Sequence, residues 1–377
     1  MKRLFGIALC LLLSTCNSRL SITQQDRMGD AENACLATSY EASKTSLYYD
    51  TGRTWAVGYA DFNRDGLEDV LMGYVSRTGE ATPIKMFLQQ PGGELIEDSS
   101  LLPPVVPGTI HARKVAIGDF NKDGTPDAFI VDHGYDQPPF PGAKPVLLIS
   151  KEGKFEERTI SRVPGGFQHA ASAADLTGDG SIDIFVTDTD NGAFLLVNDG
   201  TGNFTVTRRG VPRIKQGYYT VEVIDVDDDG YCDLLVGGHE HEWAATRIYW
   251  GNASYKYTIW RSTAVPRDVN YPIVLDVDAE DLNGDGVREI VTTRTKSSPF
   301  YEGYYFQVVE QRNRKLQDVS DRIAPNKVEW EGASSPWVPW IVLRDFNEDG
   351  YRDIVVPNKG TSLVYLNDGQ GVFTKAR

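Results

Sequence analysis

Short apolar runs rich in β-branched and aromatic residues recur along the chain, separated by polar turns rather than arranged at helical spacing. Lys114-Val115-Ala116-Ile117-Gly118 leads into one such turn, while Asp183-Ile184-Phe185-Val186 and Asp353-Ile354-Val355-Val356 lead out of others. Runs of this length and composition predict strands. A third run follows in each unit, as in Pro145-Val146-Leu147-Leu148-Ile149 or Ala193-Phe194-Leu195-Leu196-Val197. A tight turn then leads to a fourth: Asn198-Asp199-Gly200-Thr201-Gly202-Asn203-Phe204, echoed by Asn367-Asp368-Gly369-Gln370-Gly371-Val372-Phe373. Asn-Asp-Gly between apolar runs is a hairpin signal. From Trp55 onward the pattern predicts repeated units of four antiparallel strands.

The turn between the first and second runs is the most regular feature. Its first copy reads Asp61-Phe62-Asn63-Arg64-Asp65-Gly66-Leu67-Glu68-Asp69. Later copies start at Asp119, Asp175, Asp225, Asp281 and Asp345, so successive starts differ by 58, 56, 50, 56 and 64 residues. Self-similarity at such a period is the signature of a repeat array. Acids or amides stand at loop positions 1, 3 and 5 (Thr177 is the exception), glycine at 6 and an acid at 9. Alternate side chains on a tightly curled loop can converge on one calcium ion, which takes six to eight hard oxygens. Position 2 is apolar throughout (Phe62, Phe120, Leu176, Val226, Leu282, Phe346) and is expected to turn into the core. An EF-hand would need a glutamate at position 12 and flanking helices. Position 12 is instead Met72, Ile130, Val186, Val236, Thr292 and Val356. A single copy would read equally well as a solvated turn; six copies with fixed positions favour ligation.

These residues resemble the FG-GAP/VCBS repeat family, which forms calcium-binding β-propeller blades. The resemblance covers nearly everything from Arg53 to Arg377. It implies an all-β fold, a propeller of four-stranded antiparallel blades, with up to six Ca²⁺. Carried over by position, the ligands are Asp61, Asn63, Asp65 and Asp69 in the first loop and Asp119, Asn121, Asp123 and Asp127 in the second. The third offers Asp175, Asp179 and Asp183, and the fourth Asp225, Asp227, Asp229 and Asp233. The fifth has Asp281, Asn283 and Asp285 with Glu289 in place of the final Asp, and the last Asp345, Asn347, Asp349 and Asp353. The third loop, where Thr177 replaces an acid or amide, departs most from the pattern. Six motifs argue for six blades within 53–377, with a seventh from residues 17–52 left open.

Composition refines this picture at three points. The formal charge of −15 is partly metal ligand, since six Ca²⁺ would leave about −3. A pI near 4.8 without a basic stripe argues against nucleic acid. At the N-terminus, Lys2-Arg3 and the apolar run Leu4 to Leu13 are too short to span a membrane and read as an export signal. Leu13-Ser14-Thr15-Cys16 resembles a bacterial lipoprotein box, with Thr15 departing from the usual small residue. Residues 1–16 are thus read as a signal peptide whose lipoprotein-like box ends at Cys16, the residue that lipoprotein cleavage would retain as lipid-anchor candidate and only membrane link, and 17–52 as a polar tether. The expected location is the periplasm or cell surface, as an outer-membrane lipoprotein or secreted. Cys35 and Cys232 are left to pair or to remain free, since an oxidising compartment permits either.

The strand order separates two faces. Calcium loops and Asn-Asp-Gly turns share one; the 2–3 loops and interblade connections form the other. All five histidines, His111, His133, His169, His239 and His241, map to this second rim. Tyr135, Phe140, Tyr218, Tyr219, Trp243, Arg294, Lys296, Tyr301, Tyr304, Trp330, Trp337 and Lys359 join them. The ligand-binding candidates are His111, His133, Tyr135, His169, Tyr218, His239, His241, Trp243, Arg294 and Tyr304. Rim loops on a rigid scaffold concentrate binding residues, so the reading taken forward is a binding module for a glycan or a protein. The alternative is a polysaccharide lyase, with His133 and Tyr135, or His239 and Tyr218, beside an arginine that neutralises a uronate. His239-Glu240-His241 could also chelate a metal, but no further ligands are evident. No G-x-S-x-G, P-loop or dinucleotide fingerprint occurs in a supporting context.

Overall fold

The computed structural model describes residues 54–213, 218–241, 244–328, 337–356 and 363–376. The leader, the 17–52 segment, Cys16, Cys35, Trp243, Trp330 and Lys359 lie outside the described residues. Six antiparallel sheets follow one another along the chain, and in each the four blade strands pair in sequence order. The third blade is representative: Gln168–Ala174, Asp183–Asp188, Phe194–Asn198 and Phe204–Thr207 lie side by side. The protein is a six-bladed β-propeller. Among the described residues no helix is long and apolar enough to cross a membrane.

The core lies between blades rather than within one. Phe120, Phe129 and Leu147 of the second blade pack against Ala171, Ile184 and Phe194 of the third in one buried cluster. Second strands are consequently covered on both faces. Asp69–Tyr74, Asp127–Asp132, Asp183–Asp188 and Asp233–Gly238 are buried at every position, which is why they read as unbroken apolar runs. The ring closes where half-buried Val342 of the sixth blade packs on the Tyr59, Val70 and Met72 cluster of the first. The sixth blade also gains a fifth strand, Ile323–Ala324, running parallel to Phe373–Lys375.

The first strands face the axis and surround a cavity of about 170 Å³. Five of the six carry the same irregularity. The pairing slips by one residue between Thr54 and Ala56, Ala112 and Lys114, Gln168 and Ala170, Tyr218 and Thr220, and Val274 and Asp276. Each slip is a β-bulge, which inserts one unpaired residue and re-aims its neighbours. The inserted residues are Trp55, Arg113, His169, Tyr219 and Leu275. They stand at the end of the strand away from the acidic loops.

Candidate functional site

The six acidic loops share one backbone shape. Residue 4 is left-handed in each, with φ of 63° at Arg64, 60° at Lys122, 72° at Gly178, 58° at Asp228, 76° at Gly284 and 63° at Glu348. This curl brings backbone N–H groups onto the first carboxylate: Asp119 accepts from Asp123 at 3.0 Å and from Gly124 at 2.8 Å. The fifth carboxylate accepts from residue 7, as Asp123 does from Thr125 at 2.8 Å. Residue 9 is buried in all six loops and ties the hairpin to the third strand. Asp127, for example, accepts from Phe120 at 2.7 Å and Ser150 at 2.6 Å. The spacing is therefore used by the fold itself, apart from any ion. Position 2 is buried in five loops, while Phe346 is half-buried.

The loops also fit a cation. Burial pushes the ninth carboxyl up to about 7 at Asp69, Asp127, Asp183 and Glu289, and to about 8 at Asp233. Acids held this way favour a nearby positive charge. Asp183 Oδ2 and Asp227 Oδ1 are buried without a hydrogen-bond partner. Asp225, Asp227 and Asp229 bring one carboxylate oxygen each within 4.8 Å of one another. Hard oxygens at this density suit Ca²⁺.

On the opposite rim, aromatic and imidazole rings form a continuous arc over blades two to six. Centroids are 4.8 Å apart for His111 and His133, 4.6 Å for His133 and His169, 4.3 Å for His169 and Tyr219, and 4.4 Å for Tyr219 and His239. Tyr301 continues the arc 6.0 Å from His239, and Trp337 lies 5.2 Å beyond. Phe140 and Phe300 stand exposed at its edges. Asp132 pins the first part by accepting the N–H groups of Ile110, His111 and Gly134 at 2.6–2.8 Å.

The imidazoles are uncharged. Burial, with the Arg113 cation next in importance, holds His111 down to about 3 and His133 to about 4, and His169 well below the usual range. Burial also lowers His239. His133 and His169 direct Nδ1 at the carbonyls of Gly134 and Phe167, at 3.2 and 3.0 Å. A carbonyl only accepts, so Nδ1 carries the proton and Nε2 keeps a lone pair. Burial raises Tyr301 to about 12, leaving its hydroxyl protonated.

The rim candidates divide into two groups. His111, His133, His169 and His239 come together in the arc. Tyr135 packs on Gly79 at its margin, and His241 is exposed beside Ala244. Tyr218 is buried with its hydroxyl on the Ala245 carbonyl, and Tyr304 is buried with its hydroxyl 3.3 Å from that of Tyr365. Arg294 is fully buried, 2.9 Å from Glu240 and bonded to Gln307 at 2.7 Å. That ion pair takes the centre of His239-Glu240-His241 out of any chelate. His239 Nε2 meets the Tyr301 hydroxyl at 3.2 Å instead. Tyr219 and Arg113, the bulge residues lining the central cavity, take the places that Tyr218 and Arg294 were expected to fill.

A six-bladed propeller with acidic hairpin loops is the class these features define. Residues 61–130, 175–236 and 225–292 match the family model of the FG-GAP-like repeat. The chain is 23% identical to T-cell immunomodulatory protein of Rattus norvegicus over 349 residues, covering 84% of this chain and 54% of that one. It thus spans about half the length of the curated relatives it matches. Among solved structures, a lectin of Agrocybe aegerita that recognises non-reducing terminal N-acetylglucosamine superposes with a TM-score of 0.52 at 16% identity. That match covers 85% of this chain and 79% of the lectin. Rhamnogalacturonan lyase YesW follows at a TM-score of 0.46 and 13% identity, over 86% of this chain and 64% of the lyase.

Proposed function

We propose that this protein is an exported, calcium-stabilised propeller that binds carbohydrate on the face opposite its acidic loops. The observation that carries the reading is the arc itself: mostly edge-to-face rings, with Tyr219 and His239 stacked, interleaved with neutral imidazoles, of which His133 and His169 keep an Nε2 lone pair because Nδ1 is bonded to a carbonyl. Sugar rings offer C–H faces to aromatic rings and hydroxyl donors to such acceptors, while Arg113 adds donors at the centre. The lectin above shares the fold and binds a sugar, which is consistent with this reading. A lyase would want a base poised near the working pH, and histidines held near 3 and 4 are poorly placed for that.

Calcium would be held by the position 1, 3, 5 and 9 side chains of each loop, without position 3 in the third, where Thr177 stands, neutralising the buried acids and clamping successive hairpins. Export is supported by the leader-like N-terminus and by Cys232, which is disulfide-bonded. A glycan array probed with the full chain tests the reading. Capture of defined saccharides that is lost in Tyr219→Ala supports it. Capture of none, or release of unsaturated products from uronate polymers, rejects it.

A further inference from the structure

The fourth loop differs from the others in charge and in being reached at two carboxylates by an arginine of the next blade; in the fifth loop Asp285 pairs with Arg312 of its own blade. Position 3 is an amide in four loops, Thr177 in the third, and an acid only at Asp227. Where it is Asn, the side-chain carbonyl accepts the N–H of residue 5, as Asn63 does from Asp65 at 2.9 Å. In three loops the amide nitrogen also donates to the carboxylate of residue 5: Asn63 to Asp65 at 2.8 Å, Asn121 to Asp123 at 3.2 Å and Asn347 to Asp349 at 2.8 Å. An aspartate cannot donate, so Asp227 and Asp229 would face each other as like charges.

A side chain from the next blade supplies the missing donor. Arg314 lies 87 residues on, in the turn after Tyr304–Arg312. Its Nε meets Asp227 Oδ2 at 2.5 Å and a terminal nitrogen meets Asp229 Oδ2 at 2.6 Å. The guanidinium stacks 5.1 Å from the Trp250 ring, and the Arg314 carbonyl accepts from Thr263 at 3.1 Å. The oxygens taken are Asp227 Oδ2 and Asp229 Oδ2. Asp227 Oδ1 stays buried without a hydrogen-bond partner.

We infer that Arg314 is a positioning residue for the cation of the fourth loop, standing in for the asparagine amide of the first, second and sixth loops and making that site a joint product of two blades. The inference rests on the calcium reading above. It predicts reciprocity: Asp227→Asn restores the local donor and makes Arg314 dispensable. Outer partners of this kind set metal affinity by about 10- to 100-fold.

Titration of the full chain with Tb³⁺, read through emission sensitised by Trp250 and with Trp250→Phe as the blank, isolates this loop. Arg314→Ala is expected to weaken its affinity about tenfold, and Asp227→Asn/Arg314→Ala to return to within about threefold of wild type. Unchanged or tighter binding in Arg314→Ala overturns the inference alone, showing the guanidinium to be a bystander or a competitor. A double variant no better than Arg314→Ala overturns it as well. Absence of saturable Tb³⁺ or Ca²⁺ binding to the wild-type chain by equilibrium dialysis sinks the calcium reading and this inference together.

Discussion

On one face of the disc, six loops repeat the same left-handed fourth residue and the same carboxylate-to-backbone bonds. On the other, adjoining blades present His111 and His133, then His169, then Tyr219 and His239, then Tyr301 and finally Trp337. The repeated face is constrained because every hairpin must close in the same way for the ring to close. The varied face is free to differ because bulges and rim loops hang from strands that are already fixed. Repetition here marks scaffolding, and departure from repetition marks the face proposed for recognition.

The contrast breaks first under removal of divalent ions. At calcium a hundredfold above its Kd, each occupied loop stabilises the fold by about 2.7 kcal/mol. Melting in calcium and in chelator should therefore differ by several such contributions, and by one fewer in Asp123→Ala. Rim variants should keep the full gap; a rim variant that narrows it would show that the two faces are not independent. The converse test substitutes Arg113 or Tyr219 by Ala. Saccharide binding should fall about 30-fold, or about 2 kcal/mol, with melting nearly unchanged.

A pH series sharpens the comparison further. His133 titrates near 4 in the fold and near 6.5 when unfolded, so the unfolded chain takes up the proton first. Its contribution is neutral above about pH 6.5 and turns destabilising as pH falls, reaching about 2 kcal/mol at pH 5. Urea melts of wild type and His133→Phe should diverge by about that amount at pH 5 relative to pH 7.5, whereas parallel pH profiles would mean the imidazole is not held neutral. Saccharide binding should stay flat over pH 8 to 5. The smallest effect is expected at Trp260, 93% exposed on the outer edge of the fourth blade. Trp260→Ser should change stability by less than about 0.5 kcal/mol and leave saccharide binding alone.

Much of the scaffold is legible in the primary structure because calcium-type loops and apolar second strands are both local patterns. Position 2 reads as core, and Phe120 and Leu176 are indeed buried. The rim is less legible, for a definite reason. Strand alternation places Tyr218 and Tyr219 on opposite faces, and a bulge decides which one meets the axis. Nothing in Gln168-His169-Ala170 announces a slip in pairing. Arg113 left a faint trace: Arg113-Lys114 sets two cations side by side in a strand, so one had to face the axis or a bulge had to intervene. Arg294 left a clearer one, a charge inside the wholly buried strand Glu289–Thr295, where a charge must find a partner, here Glu240.

The slipped residue in each of the first five blades has a consequence for how such a protein can change. Arg113, His169, Tyr219 and Leu275 sit outside the ladder, so their identity is not dictated by cross-strand pairing. Each of these blades therefore contributes one position at which the lining of the mouth can be exchanged without disturbing a hairpin or an interblade core. A new specificity could be assembled by single replacements around the circle, much as teeth are recut on a wheel whose hub stays put.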